Sequence, residues 1–223
     1  MSASIRERKQ TVKPQTALAV QRAAYGRVVH SRRVKTLCAQ FAKLIPQRHR
    51  VLDIGCGDGI VDRFIMDQRP DVMIEGVDVL VRPETFIPVT ACDGHELPFT
   101  DCSFDTVLLC DVLHHVDSAA DLLREATRVA RSCVPIKDHL RQGFVAYATL
   151  RFMNYVGNAL HGVVLPYNCL TPREWQEHFR QIGLKARVGT TQIGSYPWWA
   201  NWLFGRSLRF IGLYDKIPHG ESV

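Results

Sequence analysis

Residues 51–59 read Val51-Leu52-Asp53-Ile54-Gly55-Cys56-Gly57-Asp58-Gly59, an apolar run that ends on a carboxylate and passes into three alternating glycines. A short run of Val, Leu and Ile is typical of a buried strand. Glycines allow a tight turn and let a ligand approach the backbone without meeting a Cβ atom. The N–H groups of such a turn, with a helix starting near Ile60, suit a polar ligand. The stretch therefore predicts a strand, a ligand-binding turn and a helix in succession.

The rest of the chain alternates short β-rich runs with helical patterns. The predicted strands are residues 50–55, 73–79, 87–93, 104–111, 134–139, 185–191 and 208–216. The predicted helices are residues 59–68 and 118–131, and a third that begins with the capping box Thr171-Pro172-Arg173-Glu174 and ends near Gly183. This alternation indicates βαβ units. We therefore expect an α/β, Rossmann-like, doubly wound sheet of seven mostly parallel strands with an antiparallel last strand.

Charge divides the chain into two parts. The 223 residues carry a net charge of +6, but residues 1–50 carry +11 and residues 51–223 carry −5. A helical pattern covers residues 16–45, where Gly26 divides it and Pro46 ends it. We predict a basic helical cover over residues 1–49 and a globular domain over residues 50–223, with a helical lid insertion at about 140–170.

Composition narrows the cellular context. With 46% hydrophobic and 22% charged residues, the chain is not globally disordered. The sequence contains no apolar run of membrane-spanning length and no apolar secretory segment, although its Arg-rich start leaves an organellar transit segment as an alternative. The seven cysteines lack metal-site spacing and fall mostly in apolar segments. Reduced thiols, and hence a cytoplasmic protein, are the expectation.

The spacing of the glycines bears on which ligand the turn binds. A pyrophosphate-binding turn has the pattern G-x-G-x-x-G, whereas here the pattern is G-x-G-x-G. Asp53 and Asp58 next to the turn would repel a pyrophosphate and would tolerate a ligand with a cationic group. The electrostatics therefore disfavour an NAD(P)-dependent oxidoreductase.

Four ordered blocks give the chain a family resemblance: VLDIGCGDG (51–59), GVDV (76–79), ACDGHELPFTDCSFD (91–105) and CDVLHHV (110–116). It resembles the class I S-adenosylmethionine-dependent methyltransferases, and within them the type 11 small-molecule group. One departure stands at residues 131–135, where Arg-Ser-Cys-Val-Pro replaces a Pro-Gly-Gly-like turn. Because Pro135 cannot donate a ladder hydrogen bond, we expect it at the first residue of the fifth strand or at a bulge.

The resemblance implies S-adenosyl-L-methionine as the cofactor and assigns residues to its parts. The turn residues Gly55, Cys56, Gly57 and Gly59 would pass under its methionine part, with Asp53 favouring its ammonium. Asp78 would accept both ribose hydroxyl protons, with Val79 and Leu80 beside the adenine. The adenine amine would donate to Asp93, with Gly94 and His95 near the ring.

Cys110 and Asp111 end the fourth predicted strand, and two compatible roles remain for Asp111. In the family resemblance, a backbone carbonyl at this point receives the cofactor's ammonium. Alternatively, the Asp111 side chain caps the short helical turn that follows.

Histidines near the ends of predicted strands are the candidates for acid–base chemistry. We expect His115 or His139 to be a general base, needed only if the acceptor must lose a proton. Asp138 is grouped with them, although strand alternation predicts that it faces away from Lys137 and His139. Half-buried packing is the alternative role for His114 and His115. No metal site is expected, because adjacent histidines such as these rarely point at one ion.

Aromatic segments suggest the nature of the acceptor. Residues 140–168 are rich in aromatic and aliphatic side chains, and residues 196–204 contain three tryptophans. An apolar pocket for a small hydrophobic or lipid-like substrate is one explanation, and core packing or a homodimer contact is the other. Tryptophans beside a basic cover also permit peripheral membrane contact. The alternative function is an RNA-modifying methyltransferase that uses the basic helices. A nucleic-acid substrate is disfavoured because no recognition module is visible in the sequence. A catalytically silent scaffold protein is a further alternative.

Overall fold

A computed structural model describes residues 32–141, 169–191, 193 and 208–217. Its helices are α1 (Arg32–Leu44), α2 (Ile60–Gln68), α3 (Ala119–Val129) and α4 (Pro172–Ile182), with one 3₁₀ turn at Leu113–His115. Its strands are β1 (Arg50–Ile54), β2 (Met73–Asp78), β3 (Val89–Ala91), β4 (Phe104–Cys110), β5 (Ala130–His139), β6 (Leu184–Thr190) and β7 (Arg209–Lys216).

The strands form one seven-stranded sheet in the order β3-β2-β1-β4-β5-β7-β6. The pairs from β3 to β5 are parallel, and β7 is antiparallel to both β5 and β6. The predicted α/β class, the number of strands and the antiparallel last strand are confirmed. In this order the carboxyl ends of β2, β1, β4 and β5 meet at one edge of the sheet.

Helices cover the two faces of the sheet with separate apolar clusters. On one face Leu37 and Phe41 of α1 pack with Ile65 of α2 against alternate residues of the central strands. On the other face Leu123 of α3 and Trp175 of α4 pack against the residues in between. This alternation is what a doubly wound sheet requires, because successive side chains of a strand point to opposite faces.

The fifth strand differs from its prediction. β5 begins at Ala130, directly after α3, so the predicted helix end at residue 131 and strand start at residue 134 are wrong. Pro135 lies inside this strand, and the irregularity of register with β4 falls between Phe104 and Thr106. Pro135 is therefore neither the first residue nor at a bulge. Its missing donor is tolerated because its neighbours pair with β4 on one side and β7 on the other.

Local signals at other element ends are confirmed. The Thr171 side chain accepts a hydrogen bond from the Glu174 N–H while the Glu174 side chain accepts one from the Thr171 N–H, so the predicted capping box starts α4. Gly183 ends this helix with φ of 76°. The helix predicted over residues 16–45 is described only from Arg32, and the cover, the lid insertion and the tryptophan segment lie mostly or wholly outside the described residues.

All seven cysteines are free thiols. In the part of the chain that the structure describes, every helix is too short or too polar to cross a bilayer.

Two carboxyl groups are buried together beneath the glycine turn. Asp62 of α2 is fully buried and Asp53 of β1 is 5% exposed. Beyond each other, neither oxygen of Asp62 nor the Oδ1 atom of Asp53 has a hydrogen-bond partner. Burial raises the pKa of Asp62 to about 7, and burial followed by repulsion from Asp62 raises the pKa of Asp53. The pair therefore retains a proton at neutral pH that an exposed pair would have lost.

We predict that Asp62→Asn stabilises the protein more at pH 8 than at pH 5. An unfolded Asp ionises near 3.8, whereas folded Asp62 ionises near 7, so the wild-type protein loses stability as pH rises through that window. The amide has no charge to bury and avoids this loss. We expect a gain of about 2 kcal/mol at pH 8, or roughly 4–8 °C in the thermal midpoint.

Thermal melts at the two pH values measure this difference. Asp67→Asn, at an exposed position of the same helix, is the matched control and should change the midpoint little at either pH. Equal effects of Asp62→Asn at pH 5 and pH 8 would contradict a shared proton.

Candidate active site

The glycine turn after β1 is closed on two sides and open on one. Gly55, Gly57 and Gly59 have φ of 74°, 64° and 74°, a region that disfavours side chains. A Cβ atom on Gly55 would lie 2.7 Å from the Val112 side chain, and one on Gly59 would lie 2.3 Å from Ile87. A Cβ atom on Gly57 would meet nothing within 4 Å. The turn therefore presents its backbone to a ligand at Gly57.

A carboxylate at the end of β2 braces this turn. The Gly57 N–H donates to Asp78 Oδ2 at 2.8 Å, and the Leu80 N–H donates to Asp78 Oδ1 at 2.9 Å. The Gly55 N–H donates to the carbonyl of Val77 at 2.8 Å. Asp78 is half-buried, and a carboxylate offers about four lone-pair sites, so it can also accept hydroxyl protons from a ligand.

An apolar surface and a second carboxylate follow Asp78. Val79 and Leu80 are 65% and 64% exposed. A Cβ atom on Gly94 would lie 2.9 Å from Val79, so the glycine lets the segment after β3 approach this surface. Asp93 Oδ1 accepts from the N–H groups of His95 and Glu96, which fixes the carboxylate in a tight loop. Such a surface suits a flat, apolar ring with polar edges.

These features fit the cofactor that the resemblance implies. S-adenosylmethionine has a cationic methionine part, a ribose with two hydroxyls and a flat adenine. The open backbone at Gly57 suits the first, the Asp78 carboxylate suits the second, and the exposed Val79 with Asp93 suits the third. The described residues therefore carry a complementary group for each part.

Cys56 is the exception among the turn residues. A Cβ atom on Gly76 would lie 2.2 Å from Cys56 Sγ, so the thiol packs onto β2. Burial raises the pKa of this thiol well above its usual range. Only the backbone of Cys56 is left for a ligand.

A second polar cluster joins the ends of β4 and β5. Asp111 has φ of 58°, and its N–H donates to the carbonyl of Lys137 at 2.8 Å. The buried Lys137 ammonium donates to Asp111 Oδ1. The His114 ring lies with Nδ1 2.6 Å from Asp138 Oδ1. His139 Nδ1 lies 3.2 Å from His114 Nδ1.

One sequence prediction for this cluster is wrong. Val112, and not Asp111, is the cap residue of the 3₁₀ turn, and the side chain that accepts from the turn is Asp138, whose Oδ2 receives the Leu113 N–H at 2.9 Å. Strand alternation predicted that Asp138 faces away from Lys137 and His139, and all three nevertheless join this cluster. The positive φ of Asp111 folds the chain over the end of β5, so groups from both faces of the strand are reached.

The three predicted catalytic residues differ in their surroundings. Burial lowers the pKa of His139, and its Nδ1 is enclosed by the cluster. Burial opposes ionisation of Asp138, but His114 and His139 together hold the pKa of this carboxyl well below its usual range. His115 is half-buried, and burial followed by repulsion from His114 lowers its pKa to about 4. Its Nδ1 is buried without a hydrogen-bond partner.

A cavity of about 540 Å³ lies beside this cluster, between α4, β6 and β7. Leu140, which follows His139, and Trp175 line it. The Trp175 Nε1–H donates to the carbonyl of His139 at 3.2 Å, so the cavity wall and the cluster share a contact. Phe179 and Phe210 add aromatic surface. This volume is within the usual range for small-molecule sites.

Sequence reasoning missed several of these residues. The sequence places Lys137 and His114 near strand ends but does not predict their hydrogen bonds to Asp111 and Asp138. It also does not identify the residues of α4, β6 and β7 that line the cavity. The ion pair of Lys137 with Asp111 joins residues 26 positions apart, and the hydrophobic periodicity of a sequence contains no information about contacts at that separation. The available signal was the run of polar side chains at the carboxyl end of an otherwise apolar β5.

Comparisons with known proteins agree with this geometry. A family model described as a methyltransferase domain, that of the type 11 group, matches residues 52–133. The chain is 29% identical over 208 residues to 27-O-demethylrifamycin SV methyltransferase of Amycolatopsis mediterranei (strain S699), an alignment that covers 83% of this chain and 72% of that enzyme.

Solved structures share the fold. A chain from the complex between the Haloferax volcanii Trm112 methyltransferase activator and the putative methyltransferase superposes with a TM-score of 0.64 at 15% identity, covering 92% of this chain and 99% of that one. Geranyl diphosphate C-methyltransferase from Streptomyces coelicolor A3(2), crystallised with Mg²⁺, geranyl diphosphate and S-adenosyl-L-homocysteine, superposes with a TM-score of 0.60 at 12% identity, covering 82% and 79%. The matched family model and the methyltransferase relatives, together with the glycine turn and its carboxylates, support a class I S-adenosylmethionine-dependent methyltransferase of the type 11 group.

Proposed function

We propose that this methyltransferase acts on a small, hydrophobic or lipid-like acceptor. The observation that carries the proposal is the aromatic cavity of about 540 Å³ that adjoins His139 at the end of β5. Ligands of open α/β sheets bind outside the carboxyl ends of the strands, which is where the cofactor residues also lie. An apolar acceptor in this cavity would border the cofactor site.

The relative from Amycolatopsis mediterranei supports an acceptor of this kind. It is a methyltransferase of 27-O-demethylrifamycin SV, as its name states. The chain aligns with that enzyme over 83% of its length, beyond the cofactor-binding half. We therefore assign this chain an organic acceptor larger than a metabolite such as an amino acid, and we take oxygen as the first atom to test.

S-adenosylmethionine bound at the turn supplies an electrophilic methyl group on a sulfonium. The protein's contribution is mainly orientation, worth roughly 7–11 kcal/mol in favourable cases. In this proposal Asp53, Asp78 and Asp93 hold the cofactor's polar groups, and the exposed Val79 supports the adenine. The aromatic cavity holds the acceptor and excludes water from the methyl group's path.

We assign the removal of the acceptor's hydroxyl proton to His115. The His115 ring is half-buried, and its Nδ1 atom has no hydrogen-bond partner among the described residues. Asp138 and His139, the other predicted catalytic residues, hold the neighbouring His114 and the 3₁₀ turn in place. His115 is then the base, and Asp138 and His139 are positioning residues for it.

We predict that S-adenosylhomocysteine raises the thermal midpoint by about 5–10 °C at a hundredfold excess over its Kd, and that NADH does not. Asp78→Ala should abolish the shift, because it removes both the brace on Gly57 and the acceptor for the ribose. Thermal melts with and without ligand measure this. Glu177→Ala, at an exposed position on α4, is the control and should keep the full shift. An unchanged shift in Asp78→Ala would remove Asp78 from the cofactor site.

We predict that Gly189→Leu blocks the acceptor cavity without affecting the cofactor. Gly189 lines the cavity, and a Cβ atom there makes ordinary contacts of 3.6 Å and 3.7 Å with β7. Gly189→Ala should therefore fold normally and is the matched control. The leucine should weaken binding of the apolar dye anilinonaphthalene sulfonate at least tenfold and leave the S-adenosylhomocysteine shift intact. Equal dye binding in both variants would contradict an acceptor in this cavity.

We predict that His115→Gln lowers kcat at least about 100-fold, the lower end of the usual range for a general base, while KM and the S-adenosylhomocysteine shift stay within twofold. Transfer of a radiolabelled methyl group to a panel of hydroxylated aromatic and isoprenoid compounds, with bulk RNA for comparison, measures activity and identifies the acceptor class. A kcat equal to wild type with the best acceptor would exclude His115 as the base. Preferential labelling of RNA would overturn the small-acceptor proposal.

A further inference from the structure

The polar cluster at the ends of β4 and β5 has the arrangement of a metal site. Asp111, His114, Asp138 and His139 each offer one ligand atom, and these four atoms lie within 4.8 Å of one another. Around a divalent ion with bonds of about 2.1 Å, neighbouring ligand atoms are about 3.0–3.5 Å apart. His139 Nδ1 lies 3.2 Å from His114 Nδ1 and 3.6 Å from Asp138 Oδ1, which is close to that spacing, whereas His114 Nδ1 and Asp138 Oδ1 lie closer together, at 2.6 Å.

Protons alone do not satisfy these atoms. An imidazole Nδ1 carries either one proton or one lone pair. Asp138 Oδ1 already accepts from the His139 N–H at 2.6 Å, and His114 Nδ1 lies 2.6 Å from the same oxygen. If His114 donates its proton there, its Nδ1 has no lone pair left for the His139 Nδ1 that faces it. The alternative partner of His139 Nδ1, Asp111 Oδ1, is 3.8 Å away, too far for a hydrogen bond.

One cation would satisfy all of these lone pairs together. We infer that His114, Asp138 and His139 bind a divalent first-row transition metal ion such as Zn²⁺, Mn²⁺ or Fe²⁺. Two imidazoles and a carboxylate form a donor set that such ions prefer, whereas Mg²⁺ and Ca²⁺ prefer oxygen ligands throughout. All three side chains are buried, with at most 5% exposed, so the ligands are already withdrawn from water.

The surrounding residues hold the ligands in position. The Leu113 N–H donates to Asp138 Oδ2, and the His139 N–H donates to Oδ1, whose remaining lone pair faces the two imidazoles. The Trp175 Nε1–H fixes the backbone of His139. Hydrogen bonds of this kind orient the ligands of known metal sites. The sequence disfavoured a metal because adjacent histidines rarely point at one ion, but the cluster uses His114 together with residues of the next strand and leaves His115 out.

Lys137 limits the part that Asp111 plays. Its ammonium is bound to Asp111 Oδ1, so this carboxylate is already neutralised in part. Asp111 is therefore an outer member of the set, and it forms the half-buried side of the cluster. With neutral imidazoles, the two carboxylates and the ammonium carry a net charge of −1, which favours a divalent cation over none.

Titration of the metal-stripped full-length protein with Co²⁺ tests the inference. We expect one ion per chain and visible d–d absorption, with Zn²⁺ competing for the same site. His139→Ala should weaken Co²⁺ binding at least about 100-fold. His115→Ala, which removes the adjacent histidine outside the set, is the matched control and should leave the affinity within threefold. Binding weaker than millimolar in the wild type, or equal affinity in His139→Ala and His115→Ala, would overturn the inference.

A second variant covers the case in which His139→Ala does not fold. His139→Cys keeps a ligand and should add a thiolate-to-Co²⁺ charge-transfer band in the near ultraviolet. Absence of this band in a folded protein that still binds Co²⁺ would exclude residue 139 as a ligand. These measurements need neither acceptor nor methyl transfer, so they succeed or fail separately from the proposed function.

Discussion

The parallel alignment of five adjacent strands is the constraint on which the site depends. Because β3, β2, β1, β4 and β5 run in one direction, their carboxyl ends meet at one edge. The glycine turn, Asp78 and the polar cluster each follow the end of one of these strands. The Gly57–Asp78 hydrogen bond locks the turn after β1 to the end of β2, so two parts of the cofactor site share one rigid support.

Two groups of buried carboxylates are stabilised in different ways in this fold. Asp53 and Asp62 face each other without a cation, and the pair retains a proton. At the ends of β4 and β5 the carboxylates meet Lys137 and imidazoles instead. The first arrangement costs stability as pH rises, whereas in the second the ammonium and the imidazoles partly compensate the carboxylates.

The proposed acceptor cavity is built from the other half of the sheet. The antiparallel β7 places Phe210 near Trp175 and the end of β5, and the ring centroids of Phe210 and Trp175 are 5.1 Å apart. These residues bring the aromatic cavity against the backbone of His139. β5 therefore carries the polar cluster at its end and is followed directly by Leu140, the first residue of the cavity wall.

The sequence by itself determined the α/β class, the seven strands with an antiparallel last strand, the glycine turn and the positions of the carboxylates Asp53, Asp78 and Asp93. These are encoded locally, because periodicity, glycine spacing and strand ends are properties of adjacent residues. The start of β5, the tolerance of Pro135, the partners of Lys137 and Asp138, and the grouping of His114 with His139 were decided only by the tertiary structure. The physical reason is that these features depend on which strands are neighbours and on the positive φ of Asp111, and contacts between residues 25 or 26 positions apart leave no pattern in the chain.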